Sequence, residues 1–193
     1  MRTERRLQKI RRVLRDRQPD LTVVLENIHD PHNVSAILRS ADAVGIAEVH
    51  LVYTTEEFPR IGRKSSASAS KWVVRRKWRS VEECYSRLRK QGFKIYASQL
   101  DSESLRLFDL NLRNKGALVF GNEHQGVSEE AAALADARFI IPMYGMIESL
   151  NVSVACAVSL YEALRQRLEH GGYSKPKLSD TALRGLAEEW SKK

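Results

Sequence analysis

GALVFGNEHQGVSEEAAA, residues 116–133, is the stretch that decides the fold. Ala117 to Phe120 are apolar without alternation, the mark of a strand covered on both faces, which belongs to parallel sheets. Gly121 then opens a polar turn. Ser128 followed by Glu129 and Glu130 supplies the cap and the first-turn acids of a short helix. Strand, glycine turn and helix in succession form the repeating unit of a parallel α/β domain.

The same alternation runs outward on both sides. Upstream, LTVVLEN (21–27) reads as a strand broken by Asp30-Pro31. From Asn33 a helix follows, with Val34, Ile37, Leu38 and Ala41 at i, i+3, i+4 and i+7 and a stop at Gly45. Further strands are expected near 47–53, 71–75 and 93–98, and a helix over 80–90. The polar 54–70 segment reads as a loop and 99–115 as irregular. Downstream, FIIP (139–142) is a last strand. SLNVSVACAVSLYEALRQRL (149–168) is a long helix, apolar around most of its first three turns, so it must be buried against other elements or a partner. Residues 3–17 predict a basic helix with Leu7, Ile10 and Leu14 on one side, stopped by Gln18-Pro19-Asp20. GGYSKPK (171–177) links to an amphipathic segment ending at Trp190. The expected division is a basic helical extension at 1–20, a central α/β domain at 21–168, and a linker with a helical extension at 169–193.

With 193 residues, 42% of them hydrophobic, the chain suits one globular domain with short extensions. No apolar run approaches the ~20 residues of a membrane span. The first eighteen residues lack an apolar core, so no secretory signal is expected. Cys84 and Cys156 are far apart and form neither a disulfide framework nor a zinc cluster, which predicts a reducing cytoplasm. Net charge is +8, and it lies at the ends: residues 1–20 hold eight Lys/Arg against three Asp/Glu, and residues 165–193 hold seven against four. A second basic stripe, Arg60 to Arg79, has eight basic residues and no acidic one, with Trp72 and Trp78 inside it. Basic arms and a basic stripe with aromatics point to a polyanion whose bases can be stacked upon.

Several chemistries drop out. No G-x-G occurs, so the dinucleotide fingerprint is absent. GNEHQGVS (121–128) has the spacing of a phosphate loop, but Val127 stands where the lysine belongs. His29 and His32 have no third ligand nearby, so no metal is expected. Three segments remain. In NVSAILRSADAVG (33–45), Ser35, Arg39 and Asp42 are expected on the polar helix face. In LVFGNEHQGVS (118–128) a buried strand ends in a glycine turn bearing Asn122 and Glu123. In IPMYGMIESLNVSVA (141–155) a strand, a loop and a helix start follow one another, with Ser149 as candidate N-cap. Strands that end in glycine-bearing loops predict a pocket at the carboxyl edge of the sheet.

Taken together these three segments resemble the SpoU family of the SPOUT methyltransferases. The N-x-x-x-x-x-R helix stands at Asn33 and Arg39, the F-G-N-E-x-x-G-[VL]-S turn at 120–128, and the I-P-M-x-G-x-x-x-S-L-N-V-S-x-A segment at 141–155, all in family order. The chain departs from the pattern at SSASASKWV (65–73), where Ala67 and Ser68 replace usual glycines. The resemblance implies an α/β-knot fold: a mainly parallel sheet with helices on both faces, a C-terminal trefoil knot, and helical extensions at both ends. It implies S-adenosylmethionine as co-substrate, held by Ser98, Gly121, Ile141, Met143, Ser149 and Leu150, and no metal. Arg39 is implied as the catalytic cation, with Asn33, Glu123 and Asn151 in supporting roles. Arg5, Arg6, Arg11, Arg12, Lys71 and Arg165 are the expected RNA contacts. The basic arms resemble most the branch that methylates the ribose of guanosine 18 in the tRNA D loop, working as a homodimer through the 149–168 region. An rRNA ribose, the tRNA wobble nucleotide, or a non-catalytic RNA-binding role on the same fold stand as alternatives.

Overall fold

The computed structural model describes residues 3–55, 57–59 and 69–193. The Ala67/Ser68 departure and part of the Arg60–Arg79 stripe lie outside the described residues.

Seven strands form one sheet: β1 (Leu21–Glu26), β2 (Glu48–Val52), β3 (Val74–Trp78), β4 (Lys94–Ser98), β5 (Leu105–Arg106), β6 (Gly116–Phe120) and β7 (Ala137–Ile140). Their order is β3-β2-β1-β6-β4-β7-β5, and every pairing is parallel. The two latest strands are inserted rather than added: β6 slots between β1 and β4, and β7 between β4 and β5. The helices are α1 (Glu4–Arg15), α2 (Pro31–Ala43), α3 (Val81–Lys90), α4 (Glu129–Ala133), α5 (Val152–Glu169) and α6 (Asp180–Lys192). None is long and apolar enough to cross a membrane among the described residues.

Alternation along the strands feeds two apolar layers. Leu21, Val23 and Leu25 of β1 join Ile37, Leu38 and Ala41 of α2 and Leu160 and Ala163 of α5 on one face. Val24, Ile95, Ala97 and Val119 meet Cys84 and Leu88 of α3 and Ala131 of α4 on the other. Burial of both faces is what the unbroken apolar strands demanded. Both cysteines are free and buried.

Three sequence expectations shift. The strand expected at 71–75 lies at Val74–Trp78, because Ala69–Lys71 closes a 3-10 turn that buries Ala69. The strand expected at 139–142 runs over Ala137–Ile140, since its register is set by Tyr96 and Ser98 of β4. The segment 99–115 is not wholly irregular: Leu105–Arg106 pairs with Phe139 and Ile140 as the sheet edge, followed by a 3-10 turn at Leu107–Asp109. Two residues give no periodicity from which a strand could be read.

The extensions are not independent arms. Helices α1 and α6 pack on each other through Ile10, Leu14 and Trp190, with Trp72 against them. Arg17 follows α1 and is 1% exposed. It donates to Ile46 O at 2.6 Å and to Asp42 Oδ1 at 2.6 Å, and its guanidinium lies 5.0 Å from the Trp190 ring. Arg167 near the end of α5 is equally buried and donates to Asp20 Oδ1 at 2.5 Å and to Leu112 O at 2.9 Å. These two arginines are structural pins, and they fasten both ends of the chain to the sheet.

Candidate active site

Strand β1 is followed by Asn27, whose φ of 48° lies in the left-handed region that asparagine tolerates better than most residues. Its side chain accepts from Thr54 N at 2.9 Å and donates to Thr54 Oγ1 at 3.0 Å. Its carbonyl accepts from Asn122 Nδ2 at 2.9 Å. Asp30 then caps α2 by accepting from His32 N at 2.8 Å, with Pro31 at the first helical position. This geometry aims Asn33 out of the first turn.

Asn33 is the hub of the site. Its amide nitrogen donates to Glu123 Oε1 at 2.6 Å, and its oxygen accepts from Asn151 Nδ2 at 3.1 Å. Glu123 Oε2 accepts from His29 N at 3.1 Å. Burial opposes ionisation of Glu123, but the Asn33 side chain and the backbone N–H groups of residues 123, 29 and 30 outweigh it and hold the carboxyl below its ordinary value. Asn151 Oδ1 accepts from Ser153 N at 2.9 Å and so caps α5. One hydrogen-bonded chain thus ties together the three segments singled out in the sequence.

The glycine turn is held from both sides. A Cβ on Gly121 would collide with the backbone of Gly126 and Val127, so the chain folds back on itself only with glycine there. At the far end Ser128 caps α4, and its N–H and hydroxyl donate to the buried Glu26 at 2.9 and 2.6 Å. Between this turn and residues 149–155 lies a cleft of about 590 Å³, walled by Gly121, Asn122 and Glu123 on one side and Ser149, Leu150 and Asn151 on the other. A recess of about 130 Å³ continues it, lined by Ser98, Ile141, Met143, Ser149 and Leu150. Both sit at the carboxyl ends of β4, β6 and β7, the usual ligand edge of a parallel sheet. The combined volume suits a nucleoside-sized ligand.

Three sequence readings need correction. Ser149 does not cap α5; Asn151 does, two residues later, and Ser149 faces the cleft instead. Asp42 is drawn into the fold rather than left on the polar face: it pairs with Arg17, which Ile46 and Trp190 fix beside it. Ser35 is buried, not on the polar face. Arg39 is exposed on α2, six residues beyond Asn33 and on another side of the helix. It does not line the cleft of its own chain.

Arg5, Arg6, Arg11 and Arg12 are exposed on α1, and Lys71 is exposed beyond it. Arg165 is exposed but holds Glu162 at 2.9 Å and Glu169 at 2.7 Å, so a phosphate would have to compete with two carboxylates. Sequence reasoning missed Asn27 and Glu26, which shape the loops. An asparagine at a strand end and an acid in an apolar strand were the signals available. Among the described residues no group of three His, Cys, Asp or Glu could hold a metal ion.

Residues 20–161 match the model of the SpoU rRNA Methylase family. The chain is 47% identical over 192 residues to the tRNA (guanosine(18)-2′-O)-methyltransferase of Thermus thermophilus, covering 100% of this chain and 98% of that protein. It superimposes on the crystal structure of the Aquifex aeolicus TrmH/SpoU tRNA modifying enzyme with a TM-score of 0.92 at 39% identity, covering 98% of this chain and 96% of that one. It is also similar to the SpoU methyltransferase AviRb from Streptomyces viridochromogenes in complex with the cofactor AdoMet, with a TM-score of 0.71 at 26% identity, covering 81% of this chain and 64% of that one.

Proposed function

The chain belongs to the SpoU methylase family, and from that premise we propose that it transfers the methyl group of S-adenosylmethionine to the ribose 2′-oxygen of guanosine 18 in the tRNA D loop. The observation that carries the reading is the Glu123–Asn33–Asn151 chain beside the cleft at the sheet edge. The relatives with near-complete coverage carry this tRNA activity in their names, which favours it over an rRNA or wobble target.

The cofactor supplies a sulfonium-bound methyl group. Ser98, Gly121, Ile141, Met143, Ser149 and Leu150 would hold its adenosyl part, offering backbone donors and acceptors in a largely apolar recess. A ribose hydroxyl is a poor nucleophile until its proton leaves. A guanidinium is a poor candidate for a base, so Arg39 is given another part. Its role is to bind the adjoining phosphate and stabilise the developing 2′-oxyanion, with that phosphate or a water taking the proton. Asn33, Glu123 and Asn151 fix the loops so that sugar and methyl meet in line.

The site is completed by a second copy. Support comes from Arg39 standing outside its own cleft, and from an exposed apolar stripe on α5, Val154, Val158, Tyr161 and Leu168, beside α2. Covering that stripe with its symmetric counterpart gives a homodimer, with Arg39 reaching the partner's cleft. The insertion of β7 inside the sheet and the return of Asn151 onto Asn33 support a C-terminal segment threaded as a trefoil knot. Two buried free thiols fit a cytoplasmic enzyme. The test is calorimetric binding of S-adenosylmethionine, followed by methyl transfer from labelled cofactor to an unmodified tRNA transcript. Stoichiometric label in tRNA is expected; absence of cofactor binding would leave only an RNA-binding role, and cofactor binding without transfer to tRNA would point to another RNA target.

A further inference from the structure

We infer that the junction of α1, α6 and Trp72 is a binding pocket for one unpaired nucleotide of the RNA, its base stacked on Trp72 and its phosphate held by Arg6 and Lys9. The cavity measures about 380 Å³ and is lined by Arg6, Lys9, Val13, Asp42, Trp72 and Trp190. That volume suits a small ligand. Its lining combines two aromatic rings with two cations, the combination that takes a base on a π face and a phosphate on a charge.

The two tryptophans have different duties. Trp190 is 6% exposed, carries the Arg17 guanidinium at 5.0 Å, and backs Trp72 with ring centroids 4.8 Å apart. Trp72 is half-buried, so one part of the indole is seated and the other lines the cavity. The backing makes Trp72 a rigid platform, which lowers the entropic cost of stacking a base. Trp78, the other aromatic of the basic stripe, is unsuited: its Nε1 donates to His50 Nδ1 at 2.9 Å and its ring stacks on that histidine. Arg6 and Lys9 make no ion pair among the described residues, and both continue into a basic trough with Arg5 and Arg12. Asp42, 32% exposed, keeps Oδ1 on Arg17 and stands at the pocket edge.

Position ties the pocket to the reaction. Asp42 lies three residues after Arg39 on α2, so the two are neighbours on one helix face. A nucleotide seated on Trp72 therefore lies near, in space, to the nucleotide steered by the same chain's Arg39. This inference rests on the reading of the chain as a tRNA methyltransferase.

The test uses the full-length protein and an unmodified tRNA transcript. Trp72→Ala should weaken tRNA binding about tenfold, the loss of one stacked base, while Trp72→Phe restores it. The salt dependence of binding should be unchanged in Trp72→Ala and shallower in Arg6→Ala/Lys9→Ala, because only the latter removes phosphate contacts. The protein has three tryptophans, so Trp78→Phe leaves a protein that emits only from Trp72 and the Trp190 that backs it, both in the pocket wall. tRNA should quench its fluorescence. If that protein binds and methylates tRNA but its emission does not change, the pocket is refuted, even where Trp72→Ala weakens binding by disturbing the helix packing. If the parent methylates no tRNA, the functional reading fails separately, and quenching by a short single-stranded RNA still decides the pocket.

Discussion

Asn33 shows how much one side chain can organise. Its amide donates to one loop and accepts from another, so no smaller residue can replace both bonds. Asn33→Ala should lower kcat/KM for tRNA about 100-fold, with the thermal midpoint nearly unchanged, because misplacement of reacting groups costs on that order. Steady-state methyl transfer and a melting curve check both halves. Glu123 adds a pH signature. Its carboxyl titrates below the ordinary value of 4.5, so the clamp is whole above that value and lost as pH falls through the lowered one. Cofactor affinity should weaken over that acid range in the parent, and Glu123→Gln should flatten the dependence. His50 gives a second signature away from the site. Burial first, then Arg76 and Arg87, hold it at about 4, against an ordinary 6.5. The unfolded chain therefore binds the extra proton between those values, and folding stability should be fully present above pH 6.5 and decline toward pH 4, by about 3 kcal/mol at most. Denaturant midpoints across that range measure it; a flat profile would mean that His50 is already charged in the fold.

At the scale of elements, the sequence was most readable where periodicity is long. Helices α2, α3 and α5 and strands β1 and β6 follow from apolar spacing and caps. Boundaries failed where tertiary pairing overrode local preference, as at β3 and β7, whose registers are set by β2 and β4. Strand β5 was illegible because two residues carry no pattern. The cap of α5 was misplaced because Ser149 and Asn151 are both good caps and only the fold aims Ser149 into the cleft. Helix α5 also carries a prediction. Its exposed stripe needs a cover, so Tyr161→Glu should convert a dimer to a monomer in gel filtration at micromolar concentration, and lose methyl transfer with it. A parent that already elutes as a monomer would remove the dimer from the account.

For the whole molecule, the three motif segments were legible in the sequence, and their convergence was expected at the sheet edge. Their detailed linkage was not, because Asn33 to Asn151 spans 118 residues and depends on where α5 returns. Arg39 was legible as a cation but not as one outside the lining of its own cleft. That placement predicts a specific complementation. Mixing Arg39→Ala with the cofactor-site variant Leu150→Trp, each inactive alone, should restore activity, since one site in the mixed dimer then combines an intact cleft with the partner's Arg39. If Arg39 served its own cleft, both sites of the mixed dimer would stay dead. The central claim concerns one oxygen atom in one nucleotide, and it is tested most directly on paired tRNA transcripts that differ only in guanosine or 2′-deoxyguanosine at position 18. With S-adenosylmethionine and this enzyme, mass spectrometry of the digested RNA should find one added methyl on the ribose of that guanosine and none in the deoxy transcript. Equal methylation of both transcripts, or a methyl at any other nucleotide, would contradict the account.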